Sequence, residues 1–205
     1  MRLTTTLTIA AFLAAAPLHA QIDQSQTGWQ SGFAFISAGY LRTYQTFRPT
    51  ASTVGGAGFF LNPNYSGVPG TQVFIELLDQ PGGVVLAGAS TMANGTGWVD
   101  AFWTPVGVTP GSSYALSIWS NEPFYSFSSQ SPPNGYVVAY NGYQVPDTYV
   151  NGEAWFQANQ NPPAAYAEFD LTFREYSTAP EPGSVLLVAT GLLGIGGLMR
   201  RRTSR

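Results

Sequence analysis

The chain has no cysteine and no lysine, and its single histidine is His19. Without cysteine, no disulfide can brace the fold and no thiol can serve as nucleophile or soft metal ligand. Without lysine there is no Schiff-base chemistry, and beyond the first twenty residues there is no imidazole. These absences exclude a Ser-His-Asp triad, a Cys nucleophile and a His- or Cys-ligated zinc from the body of the chain. Catalysis there would fall to carboxylates, Tyr, Ser, Thr and Arg. Charge is also scarce, at 9 % of residues, and uneven. Between Gln21 and Ala179 ten carboxylates (Asp23, Glu76, Asp79, Asp100, Glu122, Asp147, Glu153, Glu168, Asp170 and Glu175) face only Arg42, Arg48 and Arg174, a formal net charge of −7. An acidic body without a basic patch does not suit nucleic acid or an anionic membrane surface.

Long apolar runs occur only at the two ends. Arg2 precedes an almost wholly apolar stretch from Leu7 to Leu18, and Leu18-His19-Ala20 ends in a small residue before the polar Gln21-Ile22-Asp23-Gln24. This pattern predicts a secretory signal peptide over residues 1–20, cut between Ala20 and Gln21. A cut after Ala16 also satisfies the small-residue rule but leaves Pro17 directly after the cleaved bond. At the other end, Pro180-Glu181-Pro182 is followed by an uncharged run from Gly183 to Met199 and then by Arg200, Arg201, Arg202 and Arg205. Seventeen residues of helix reach roughly 25 Å, a little short of a hydrocarbon core of about 30 Å, and snorkelling arginines supply part of the difference. The expectation is one transmembrane helix over 183–199, with the arginines cytoplasmic and the body outside.

The Pro-Glu-Pro tripeptide, the Gly-rich apolar segment and the Arg-rich end, paired with an N-terminal signal peptide, resemble the PEP-CTERM sorting signal of bacterial envelope proteins. The resemblance covers residues 180–205. It implies that a membrane protease of the exosortase family recognises Pro180, Glu181 and Pro182, while Arg200, Arg201 and Arg202 retain the substrate in the membrane until the anchor is removed. The flanking prolines restrict the backbone to extended forms and present the Glu181 side chain. A permanent C-terminal anchor is the simpler alternative.

Residues 21–179 are long enough for one ordinary domain. Thr71 to Asp79 sets Val73, Ile75 and Leu77 against Phe74, Glu76 and Leu78, and Tyr166 to Glu175 sets Ala167, Phe169, Leu171 and Phe173 against Glu168, Asp170, Thr172 and Arg174. Such period-two patterns predict strands with one buried face. Further strands are expected at Gly32 to Ile36, Gln45 to Arg48, Gly58 to Leu61, Val84 to Ala89, Trp98 to Trp103, Ser113 to Trp119 and Tyr136 to Tyr140. Turn clusters such as Pro81-Gly82-Gly83, Asn94-Gly95 and Thr109-Pro110-Gly111 separate them. The fold class expected is all-β, an antiparallel two-sheet β-sandwich of jelly-roll-like type. Tyr44 to Pro49, Val106 to Leu116 and Asp170 to Arg174 also resemble segments of bacterial exported β-sandwich modules of jelly-roll or galactose-binding-like type. That resemblance implies architecture and carries no catalytic residues.

Between Trp119 and Phe156, aromatic residues are interleaved with Asn, Gln, Ser, Gly and Pro. Rings that stack on sugar C–H faces, beside amides that meet hydroxyls, suit a carbohydrate. Trp119, Tyr125, Tyr143 and Trp155 are the candidate ligand-binding residues, and exopolysaccharide is the candidate ligand. The competing reading is that several of these rings cover the core. Glu168 and Asp170, two apart on one expected strand, admit three readings: solvated outer-face positions, oxygen ligands of a structural calcium ion, or part of a carboxylate pair. No other cofactor is expected. Two functions follow. The first is a non-enzymatic exported envelope or matrix protein, bound for the cell surface or beyond and associated with polysaccharide. The second is a small carboxylate-dependent glycan-acting enzyme.

Overall fold

The computed structural model describes residues 20–35, 41–62, 69–120, 137–141, 149–158 and 161–178. The expected signal peptide up to His19, the Pro180 to Pro182 element, the 183–199 span and Arg200 to Arg202 lie outside the described residues, as do Tyr125 and Tyr143. Ala20–Thr178 forms a compact unit by itself. Among the described residues every regular element is a strand, and no helix is long and apolar enough to cross a membrane.

Two antiparallel sheets build the domain, which is the expected all-β sandwich. Sheet I contains β1 (Ala20–Gln26), β2 (Ser31–Phe35), β4 (Thr53–Leu61), β7 (Gly97–Gly107), β9 (Val137–Asn141), β12 (Asp170–Leu171) and β13 (Phe173–Thr178). Its main path runs β1-β13-β4-β9-β12, with β7 beside β4 and β2 beside β9. Sheet II contains β3 (Leu41–Phe47), β5 (Thr71–Leu78), β6 (Val85–Ala93), β8 (Tyr114–Ser120), β10 (Ala154–Ala158) and β11 (Ala164–Tyr166), in the order β11-β10-β3-β8-β5-β6.

The alternation along each strand decides what fills the space between the sheets. Val73, Ile75 and Leu77 of β5, Leu116 and Ile118 of β8 and Phe47 of β3 point inward from sheet II. They meet Val54, Ala57, Phe59 and Leu61 of β4, Val99 and Ala101 of β7, and Phe173 of β13 in one buried cluster. Each of the Val, Leu, Ile and Phe side chains contributes roughly 1.5–3 kcal/mol on full burial, and the alanines less. This apolar layer, in a chain without disulfides, offsets the entropy of ordering the backbone.

One expectation is corrected. The stretch from Tyr166 to Glu175 is not one strand. β11 ends at Tyr166, whose carbonyl accepts from the Phe169 amide in a turn, and the chain then pairs with β9 through β12 before passing to β4 through β13. The transfer occurs at Thr172, whose amide donates to Ala139 while its carbonyl accepts from Phe60. A change of neighbour within one alternating run draws Asp170 and Thr172 into the interior, so they are not outer-face residues. The polar run after Ala20 is also a strand, β1, which lies at the edge of sheet I against β13. An edge strand buries little and so needs little apolar patterning, which is why no alternation marks it in the sequence.

At Asp23, β1 makes a bulge, with the register shifting between Ile22 and Gln24. The bulge turns the Asp23 carboxylate towards the Thr50 and Ala51 amides (2.7 and 3.2 Å) and the Thr50 hydroxyl. Burial opposes ionisation of Asp23, but these donors outweigh it and hold the carboxyl below its ordinary range. Next to it in the ladder, Glu175 points inward from β13 and is fully buried.

Candidate functional site

The same alternation that fills the core leaves a second set of side chains on the outer face of sheet II. Cross-strand register places Trp155, Tyr44, Ser117 and Glu76 in one row across β10, β3, β8 and β5. The adjoining row pairs Gln157 with Arg42 and Trp119 with Phe74. Trp119 and Phe74 stack with ring centroids 4.1 Å apart and planes 10° from parallel. The Arg42 guanidinium lies over the Trp119 ring, 5.0 Å from its centroid, and reaches Glu76 at 3.3 Å. Cation–π and ion-pair contacts thus fix one arginine between a ring and a carboxylate.

Polar groups are knitted into this surface. The Ser117 hydroxyl donates to Glu76 at 3.0 Å, the Tyr44 hydroxyl donates to Gln157, and the Gln157 amide donates to the Asn161 carbonyl at 2.9 Å. Trp155 packs on the buried trio Tyr44, Leu78 and Ala115. Burial pushes the Tyr44 hydroxyl above its ordinary pKa, so it acts as a neutral donor. Among the described residues the buried indole N–H groups of Trp119 and Trp155 meet no acceptor. A donor left in that condition costs about 1–3 kcal/mol.

Of the four expected ligand-binding residues, Trp119 and Trp155 therefore fall on one face, with Tyr44 and Arg42 between them. The competing reading holds in part as well: Tyr149 belongs to the core, Tyr140 and Phe156 pack against it, and Trp155 covers the smaller buried cluster of Tyr44, Leu78 and Ala115. Arg42, Tyr44, Phe74, Glu76 and Gln157 were not singled out from the sequence. For Phe74 and Glu76 the signal was there, since the Thr71 to Asp79 alternation already placed them opposite Val73, Ile75 and Leu77.

The two expected carboxylates are not brought together on a strand. Glu168 is exposed in the turn after β11, whereas Asp170 is buried. Asp170 Oδ1 accepts from Gln45 Nε2 and Oδ2 from the Tyr149 amide, both at 3.0 Å, and Gln45 Oε1 in turn accepts from the Leu171 amide at 2.6 Å. This network joins β3 of sheet II to β12 of sheet I. Among the described residues no three His, Cys, Asp or Glu side chains gather as a metal site.

No family model matches the chain, and no curated protein does. Among solved structures it is similar to that of the cysteine protease and lectin-like domains of Cwp84, a surface layer associated protein of Clostridium difficile. The identity is 8 % and the TM-score 0.48, over 69 % of this chain and 33 % of that one. The chain thus spans about a third of the length of this neighbour.

Proposed function

We propose that this chain is a non-enzymatic exported module that associates with extracellular polysaccharide through the outer face of sheet II. In this reading it is held in the membrane by residues 183–199 until an exosortase-type protease acts at Pro180 to Pro182. One observation carries the binding half: half-buried Trp119 and Phe74, stacked on each other, and half-buried Trp155, packed over the buried Tyr44, share a surface with an arginine, a carboxylate and an amide. Rings supply flat apolar platforms for sugar C–H faces, and the fixed polar groups offer donors and acceptors to hydroxyls. The export half rests on the two terminal segments of the sequence. The carboxylate-enzyme alternative needs two acids on one accessible surface, and the pair it relied on is divided between an exposed turn and the interior.

Trp119→Ala and Trp155→Ala, each made in the full chain in detergent, are expected to weaken retardation in polysaccharide-containing native gels by roughly tenfold or more. Far-UV circular dichroism should stay unchanged. Folded variants that migrate as the wild type does would end the reading. Processing has its own test. The mature protein should have a mass ending near Pro180 in cells that contain the sorting protease and an intact Arg205 in cells that lack it; an intact Arg205 in both makes the segment a permanent anchor.

A further inference from the structure

On the opposite side of the sandwich, the outer face of sheet I has a construction of its own. β13, β4 and β7 lie side by side, so that Arg174, Gly58 and Asp100 form one cross-strand row and Tyr176, Gly56 and Phe102 the next. The central residue of both rows is glycine, and the reason is steric. A Cβ on Gly58 would stand 2.0 Å from Asp100 Oδ1, and one on Gly56 would stand 2.6 Å from Phe102 Cδ1. The glycines let flanking side chains meet over the middle strand. Arg174 makes a bidentate pair with Asp100, its Nε donating at 2.7 Å, and the Tyr176 hydroxyl donates to the same carboxylate at 3.0 Å.

Aromatic rings extend this surface. Trp98 carries the Arg174 guanidinium 4.2 Å from its ring centroid and meets Phe60 edge-on at 5.5 Å, and Phe60 stacks with Trp29 at 6.0 Å. Phe102, tilted against Tyr176, is 54 % exposed, and Trp29 is 38 % exposed. Beside Trp98, at the turn from β6 to β7, lies a recess of about 390 Å³ whose lining includes Thr91, Asn94, Thr96, Trp98 and Asp100. That volume falls within the ordinary range for small-molecule sites.

We propose that this recess, with Trp98 in its lining and the exposed Phe102 ring further along the same face of β7, forms a second glycan-binding site, selective for uncharged polysaccharide. The chemistry sets the class of ligand. The carboxylate in the lining is already neutralised by Arg174, and that arginine is committed to Asp100 and to the Trp98 ring, so the site presents no free charge. It offers hydroxyls and an amide from Thr91, Thr96 and Asn94 against an aromatic wall. The acidic body disfavours anionic chains there. The site stands independently of the sheet II face. If both bind, ligands attach on opposite sides of one domain, and a single molecule can bridge two polysaccharide chains.

The test uses the full chain in detergent, in native gels cast with a neutral glucan, a galactomannan or anionic alginate. Phe102→Ser, at an exposed ring, and Thr96→Ala are the fold-safe variants, and Trp98→Ala is the strong one. Retardation by a neutral polymer should fall severalfold in each and should vanish only when Trp98→Ala is combined with Trp119→Ala. Loss of all binding in Trp119→Ala alone would overturn the second site, as would wild-type retardation of folded Phe102→Ser and Thr96→Ala, or stronger retardation by alginate than by the neutral polymers. Complete loss in Trp98→Ala with none in Trp119→Ala would support this site and instead remove the sheet II reading.

Discussion

Replacing Glu175 with Gln is expected to raise the melting temperature near pH 8 by on the order of 10 °C and to flatten the dependence of stability on pH. The argument begins with position. Glu175 shares the inward face of β13 with Phe173 and is fully buried, and among the described residues neither oxygen has a hydrogen bond of good geometry, while the Asp23 carboxylate stands within its reach. Burial, and then the Asp23 carboxylate, push its pKa from 4.5 up to about 9. Tyr149 lies within the same field, and its hydroxyl is pushed up to about 12, chiefly by burial. The folded protein therefore holds a proton on Glu175 that the unfolded chain releases above about pH 4.5. Wherever the folded state binds more protons, stability falls as pH rises. The contribution is fully present below pH 4.5 and is lost progressively up to about pH 9, at roughly 1 kcal/mol per pH unit. Glutamine has nearly the same shape, stays neutral throughout, and can donate to Asp23 as the protonated acid would. Melting curves of the two proteins between about pH 5 and pH 9 should diverge towards the alkaline end. A wild-type melting temperature that is flat over that range, or a variant less stable at every pH, would show that the charge is accommodated in the fold.

That buried acid was hidden in the sequence, where Glu175 closed an alternating run and read as the end of a strand. Alternation did reveal the class of fold, because a sandwich core is built by every second residue of many short strands. Thr71 to Asp79 carried enough of that pattern for both of its faces to be read in advance. It could not reveal partners. Asp170 and Glu168 look equivalent when counted along one strand, yet Thr172 changes neighbour and sends one inward while the turn leaves the other in solvent. Trp119 and Trp155 are far apart in sequence, and only the insertion of β3 between β8 and β10 puts them on one surface. Gly56 and Gly58 carry no side chain to enter an alternating pattern; their role appears once β7 and β13 are set on either side. Composition excludes chemistry well, but cross-strand register, which creates the surfaces, depends on long-range pairing that no local window contains.

Asp170→Asn should cost about as much as Asp170→Ala, on the order of 3 kcal/mol or roughly a 10 °C fall in melting temperature, although it changes one atom. The carboxylate accepts from two donors, Gln45 Nε2 and the Tyr149 amide. An asparagine must turn its own NH₂ towards one of them, setting donor against donor in the interior. Rotating the Gln45 amide to relieve the clash would remove the Oε1 acceptor from the Leu171 amide and move the fault to the backbone of β12. No rearrangement of these groups alone satisfies all of them, so the cost of a buried unpaired donor remains. Glu168→Gln, at an exposed turn position, should change stability by no more than about 0.5 kcal/mol. Calorimetric scans of both variants and the wild type, with and without a chelator, separate a polar brace between the sheets from a calcium site. The brace predicts chelator-indifferent melting in all three proteins. A wild-type protein that melts in chelator where Asp170→Asn melts without it would assign the carboxylate to a bound cation instead.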